Sequence, residues 1–125
     1  MRLRFLILIS LTALTLSAQT SKAQIDELVL ANRMLASQQI GFIDSFGHVS
    51  VRSAANPNHY FIARAISAGM VNASDIIEND FESKPVAGDT RDQFLERFIH
   101  GEIYKARPDV MAVVHAHTPN WSRSA

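Results

Sequence analysis

Between residues 94 and 117 the apolar residues change from a helical to a strand-like spacing, with one tight punctuation between the two. Phe94, Leu95, Phe98, Ile99 and Ile103 form an apolar stripe at helical spacing. Thr90 and Gln93 stand in the capping-box relation, a hydroxyl followed three residues on by an amide, and predict a helix start there. Arg107 precedes Pro108, and a residue before proline is pushed out of the helical region, so the helix stops. The stretch "VMAVVHAHT" follows at once and, with its paired valines, predicts a strand. The Arg107-Pro108-Asp109 turn can fold the helix back against that strand, which makes a helix packed on a sheet the basic unit.

Upstream, Ile25, Leu28, Val29, Met34 and Leu35 predict a helix from Ile25 to Gln39, with Asp26 and Glu27 in its first turn and Gly41 ending it. "FGHVSVRS" alternates and predicts a strand; "ANPNH" is a turn by composition; "YFIARAI" is a second strand, so the pair reads as a hairpin. "NASDIIEND" predicts a short helical turn capped by Asn72 or Ser74, and "FESKPVAGD" a connection with room for a short extended piece. The elements describe an α/β domain.

The first segment, "MRLRFLILISLTALTLSAQTSKAQ", starts basic, runs apolar from Phe5 to Leu16 with small interruptions, and ends in small residues. Ser21-Lys22-Ala23 fits the small-x-small pattern of signal peptidase, and Ala18 is a second candidate. An apolar core of about a dozen residues is short for a membrane span. The expectation is a cleaved signal over residues 1–23, a domain over 24–125, a periplasmic or secreted location and no stable span after cleavage. An uncleaved anchor or a buried N-terminal helix is the alternative. The whole chain carries 12 basic and 12 acidic residues, but Arg2, Arg4 and Lys22 lie in that first segment, which leaves residues 24–125 mildly acidic. Such a domain has no phosphate-backbone footprint, so nucleic acid is excluded as a partner. With no cysteine, disulfide and thiolate chemistry are excluded too.

His115 and His117 are two apart on the predicted strand, so their side chains share one face with Cα atoms roughly 7 Å apart and can converge on one metal ion. A solvent-facing pair on an edge strand is the plainer alternative. Glu96 and His100, four apart on the preceding helix, share one helix face. A carboxylate from there can approach the histidine pair as ligand or general base, or Glu96 can simply pair with a surface charge. Glu102 reads as a surface residue and His59 as a solvated turn residue. His48, after Gly47, can reach a cleft or cap the local backbone.

"FGHVSVR" followed by "LERFIHGEIYKARPDVMAVVHAHTP" resembles the class II aldolase/adducin family from about Leu28 to Pro119. The resemblance implies a layered α/β/α domain around a largely antiparallel sheet. It implies a divalent metal on His115 and His117, Zn²⁺ with Mn²⁺ or Mg²⁺ as alternatives, and Glu96, nineteen residues before His115, as the catalytic acid/base. It implies a small carboxylate or carbonyl substrate, lyase chemistry by retro-aldol cleavage or decarboxylation, and homotetramers with sites between subunits. Non-catalytic adducin-like interaction is the other role the family offers, and an inactive fragment is the blandest alternative.

The phosphate-holding positions of the sugar-phosphate aldolases read differently here: Gly47-His48-Val49-Ser50, Ser67-Ala68-Gly69 and Phe94-Leu95. Two hydroxyls are replaced by Phe94 and Leu95, so the resemblance is nearer to members that act on non-phosphorylated, including aromatic, carboxylates. His48, Arg64 and Ser67 are the expected substrate-binding residues, Arg64 through a carboxylate. The resemblance also implies a third metal histidine downstream, and no histidine follows His117. A domain incomplete at its C-terminus, with weakened metal binding and catalysis, is expected.

Overall fold

A computed structural model describes residues 21–37 and 46–117. The first twenty residues of the expected signal, Gln39 and Gly41, and the terminal "TPNWSRSA" lie outside the described residues, but the first helix already ends at Leu35, short of the expected Gln39. Helix α1 occupies residues 21–35 of the described chain. It is followed by strands β1 (His48–Arg52), β2 (His59–Ala63) and β3 (Ile76–Asp80), helix α2 (Arg97–Ala106) and strand β4 (Ala112–His115). The strands form one antiparallel sheet in the order β3-β2-β1-β4. Among the described residues no helix is long and apolar enough to cross a membrane.

Strand alternation delivers each face of the sheet to one helix. Val49 and Phe61 pack with Leu28 and Leu35 of α1. Tyr60 and Ile62, their neighbours on the opposite face, pack with Tyr104 of α2 and with Val113. The helices therefore cover opposite faces, and the domain is an α/β/α sandwich of the expected class.

Two expectations are corrected here. Only Ala73–Asp75 of "NASDIIEND" is a helical turn, of the 3-10 type, with the Asp75 carboxylate accepting the Asn72 backbone N–H at 2.9 Å. Ile76–Asp80 is strand, because Ile77 and Asn79 alternate inward beside β2. Helix α2 begins at Arg97 rather than near Thr90, since Gln93 is used in a bridge to Arg64 and accepts the Asn79 side-chain amide at 2.8 Å.

The stripe that α2 turns inward is also not the apolar one. His100, Gly101 and Tyr104 are its buried residues, while Leu95, just before the helix, and Phe98 and Ile99 on it are exposed. Gly101 makes this possible, because a Cβ there would stand 2.7 Å from the Phe81 carbonyl oxygen and from Ser83 Oγ. Arg52 ties the helix end down. Its guanidinium donates to the carbonyls of Val110, Pro57, Tyr104 and Arg107 at 2.7–3.0 Å. It also lies 5.0 Å from the ring centroids of both Phe81 and Tyr104.

Candidate functional site

The sequence "HVSVR" of β1 places valines on the α1 face and His48, Ser50 and Arg52 on the α2 face. That polar face is buried. Antiparallel pairing sets His48 directly opposite His115 and Ser50 opposite Val113. Facing pairs across an antiparallel ladder lie within side-chain reach, so the register itself brings β1 and β4 histidines together.

Four of the five histidines gather as a result. The His48 ring stacks on Phe94 at 4.2 Å, on His100 at 4.9 Å and on His115 at 5.0 Å between centroids. His48 Nδ1 donates to the Phe46 carbonyl at 2.8 Å, which fixes the ring orientation. His115 and His117 approach through their Nε2 atoms at 2.9 Å. Two imidazoles on one tetrahedral ion, with metal–nitrogen distances of about 2.0–2.1 Å, hold their donor atoms about 3.3 Å apart. The pair therefore fits two positions of such a set after a small opening.

His100 is fully buried. Its Nδ1 meets Ser50 Oγ at 2.6 Å, and the same hydroxyl meets the Tyr104 phenol at 2.8 Å. Burial, and then the neighbouring His48 and His115, hold the His100 imidazole down to about 3, so it is a neutral ring. Burial likewise pushes the Tyr104 phenol up to about 12. His100 Nε2 is buried with no hydrogen-bond partner among the described residues.

The other expected residues are placed as follows. Glu96 is half-buried at the residue preceding α2, where its carboxylate does not cap the helix. Its backbone carbonyl accepts the His100 N–H at 3.4 Å, so Glu96 and His100 are joined through the main chain. Among the described residues no three His, Asp or Glu side chains are arranged to hold a metal, so Glu96 does not join His115 and His117 as a third ligand there. Ser67 lines a cleft with Phe46, Ala65, Ile66 and Phe94. Arg64 is turned elsewhere, with its Nε 2.7 Å from Asp75, so the carboxylate it meets is internal. His59 is not a solvated turn residue. It opens β2, with Nδ1 2.9 Å from Glu78 and Nε2 3.1 Å from Asn56.

Sequence reasoning marked the positions of Ser50 and Phe94 but did not find Tyr104, or the contacts of Ser50 with His100 and Tyr104, as parts of this cluster. The signal was present in the alternation of "HVSVR", but a polar alternate face reads as solvated until a helix is known to cover it.

The sequence model of the Class II Aldolase and Adducin N-terminal domain matches residues 26–123. The chain belongs to this family. Among curated relatives, Decarboxylase tropJ of Talaromyces stipitatus is 36% identical over 77 residues, 60% of this chain and 29% of that protein. Decarboxylase NovR of Streptomyces niveus is 36% identical over 87 residues, 64% of this chain and 31% of that protein. Among solved structures, an L-fuculose 1-phosphate aldolase from Glaciozyma antarctica superposes with TM-score 0.66 at 30% identity, covering 76% of this chain and 40% of that one. An aldolase II superfamily protein from Pseudomonas syringae gives 0.65 at 27% identity, with 80% and 40% covered. The chain thus spans about a third of the length of the curated relatives it matches.

Proposed function

We propose that the chain carries part of the site of a metal-dependent carbon–carbon lyase, which cleaves a small hydroxy, oxo or aromatic carboxylate by retro-aldol reaction or decarboxylation. The single observation that carries this reading is the convergence at 2.9 Å between Nε2 atoms of His115, the last residue of β4 and paired with His48, and His117, two residues beyond the strand. These two side chains would hold a divalent ion, Zn²⁺ before Mn²⁺ or Mg²⁺, as borderline nitrogen donors suit zinc. When bound, the ion supplies Lewis-acid stabilisation of negative charge on a substrate oxygen.

The chain's own residues supply the rest. Glu96 moves the proton; its carboxylate is half-buried and does not cap α2, which leaves it available. His48, held by the Phe46 carbonyl, and Ser67 contact the substrate. The neutral His100–Ser50–Tyr104 group fixes the wall behind His48 without adding charge. We extend the proposal to homo-oligomers with sites between subunits and to export after removal of residues 1–23, readings supported by the family and by the apolar N-terminal segment respectively.

A non-catalytic interaction module is the second reading, supported by the adducin members that the matched family includes. The two separate in one assay of aldol cleavage and decarboxylation on zinc-loaded protein. Glu96→Gln should abolish turnover while metal content stays the same. Unchanged turnover removes Glu96 from proton transfer, and no turnover in either protein favours the interaction module.

A further inference from the structure

We propose that Asn56, His59 and Glu78 form a pH-operated latch on the β1–β2 turn, in which protonation of His59 turns the Asn56 amide over and releases the Asn58 N–H. The tautomer of His59 follows from its partners. Asn56 Oδ1 accepts the Asn58 N–H at 3.1 Å, and an amide accepts only through its oxygen, so its NH₂ is the group that faces His59. That NH₂ lies 3.1 Å from Nε2, which is therefore the bare nitrogen of a neutral ring. The ring proton sits on Nδ1 and is donated to the Glu78 carboxylate at 2.9 Å. The rest of the turn is built on the same residues. Ser53 Oγ accepts the Asn56 N–H at 3.2 Å, and the Asn56 carbonyl accepts the His59 N–H at 2.9 Å. Pro57, between the two asparagines, gives its carbonyl to Arg52 at 2.7 Å.

A second proton enters the ring at Nε2. There it meets the Asn56 NH₂, donor against donor, and the contact turns from attraction to repulsion. The Asn56 amide restores the bond by rotating and offering Oδ1 to the cationic ring. The same rotation takes Oδ1 from Asn58 and sets the NH₂ against its N–H. Asn58 is exposed, so its N–H passes to water and the turn opens there. The charged groups facing the ring are acidic. Glu78 accepts from Nδ1, and Asp80, whose Oδ1 accepts the Lys84 N–H, stands opposite His59 in the β2–β3 ladder. On the β1 side, Ser53 donates its N–H to the His59 carbonyl and is uncharged. From α1 the turn is reached by Gln24, also uncharged, while Lys22 and Asp26 pair with each other. None of these groups opposes a positive charge on His59, so the Asn56 contact is the one that gives. Because Arg52 also holds the carbonyls of Tyr104 and Arg107, a shift at Pro57 reaches the end of α2.

The test follows the full chain by NMR from pH 8 to 5, the span in which histidines change charge. It reads the His59 ring signals, the Asn56 side-chain amide and the hydrogen-exchange protection of the Asn58 N–H. All three should change along one curve, and Asn58 protection should fall about fivefold, as for the loss of one ordinary hydrogen bond. In His59→Gln, Asn58 protection should no longer depend on pH. In Asn56→Asp the carboxylate accepts from the cationic ring and from the Asn58 N–H at once, so Asn58 should stay protected at pH 5. Wild-type Asn58 protection that holds at pH 5 while the His59 ring titrates would overturn the inference. So would a fall in protection that survives either substitution.

Discussion

Replacing His100 by glutamine should remove a pH-dependent part of the domain's stability. The folded chain holds the His100 imidazole down to about 3 by burial and by the facing rings of His48 and His115, against an ordinary value of 6.5. Below pH 6.5 the unfolded chain takes up a proton at this residue, while the folded chain does not until about pH 3. The stabilising contribution is therefore complete above pH 6.5 and is lost as the pH falls towards 3. Each pH unit in that window costs about 1.4 kcal/mol for one group, so between pH 6.5 and 4.5 the loss from His100 alone is about 3 kcal/mol. Glutamine cannot titrate, yet its side-chain amide can still accept from or donate to Ser50. Urea denaturation of both proteins from pH 7.5 to 4.5 tests this directly. The wild-type curve should fall more steeply, closing any stability gap at neutral pH by about 3 kcal/mol. Parallel curves would show that His100 is protonated freely in the folded state, and would refute its placement as a buried neutral ring.

Arg52→Met should cost about 3–5 kcal/mol, since four carbonyls lose a charged donor that is itself buried. Arg52→Lys should cost about 1–3 kcal/mol, because an ammonium has three donors for four carbonyls and no plane to lie between Phe81 and Tyr104. Wild-type denaturation midpoints in both variants would contradict this. Gly101→Ala should destabilise by about 1–3 kcal/mol although alanine is the better helix former by roughly 1 kcal/mol, because its Cβ meets a backbone carbonyl and a tethered Ser83 hydroxyl. A more stable alanine variant would mean that α2 stands farther from Phe81.

The hairpin and the closing helix–strand unit were legible in the sequence because alternation and the Arg-Pro-Asp stop are local signals, whereas β3 was not, its segment having read as a helical turn. The HxH pair was legible in part: the two rings do converge, but the strand ends at His115, so His117 meets its partner from just beyond the strand rather than from a shared strand face. The inward face of α2 was not. Periodicity favoured the stripe of Phe98, Ile99 and Ile103, but the helix turns in His100, Gly101 and Tyr104, whose polar atoms are answered by Ser50 on a strand fifty residues away. Nothing local to either segment announces that match. The start of α2 was misplaced for a related reason: Gln93 has tertiary partners in Arg64 and Asn79 that outcompete its role in a local cap. Arg64 similarly resolves into an internal pair with Asp75, a partner invisible without the turn that carries it.

The claim on which the functional reading depends is that His115 and His117 act together on one divalent ion. Zinc titration of the chelator-stripped chain, followed by the ring-proton signals of its histidines, reads this at the residues themselves. His115 and His117 should shift together and saturate at one equivalent, and replacing either with alanine should weaken binding at least tenfold. Titration of His115 and His117 as independent sites, or unchanged zinc affinity in the double alanine variant, would contradict it.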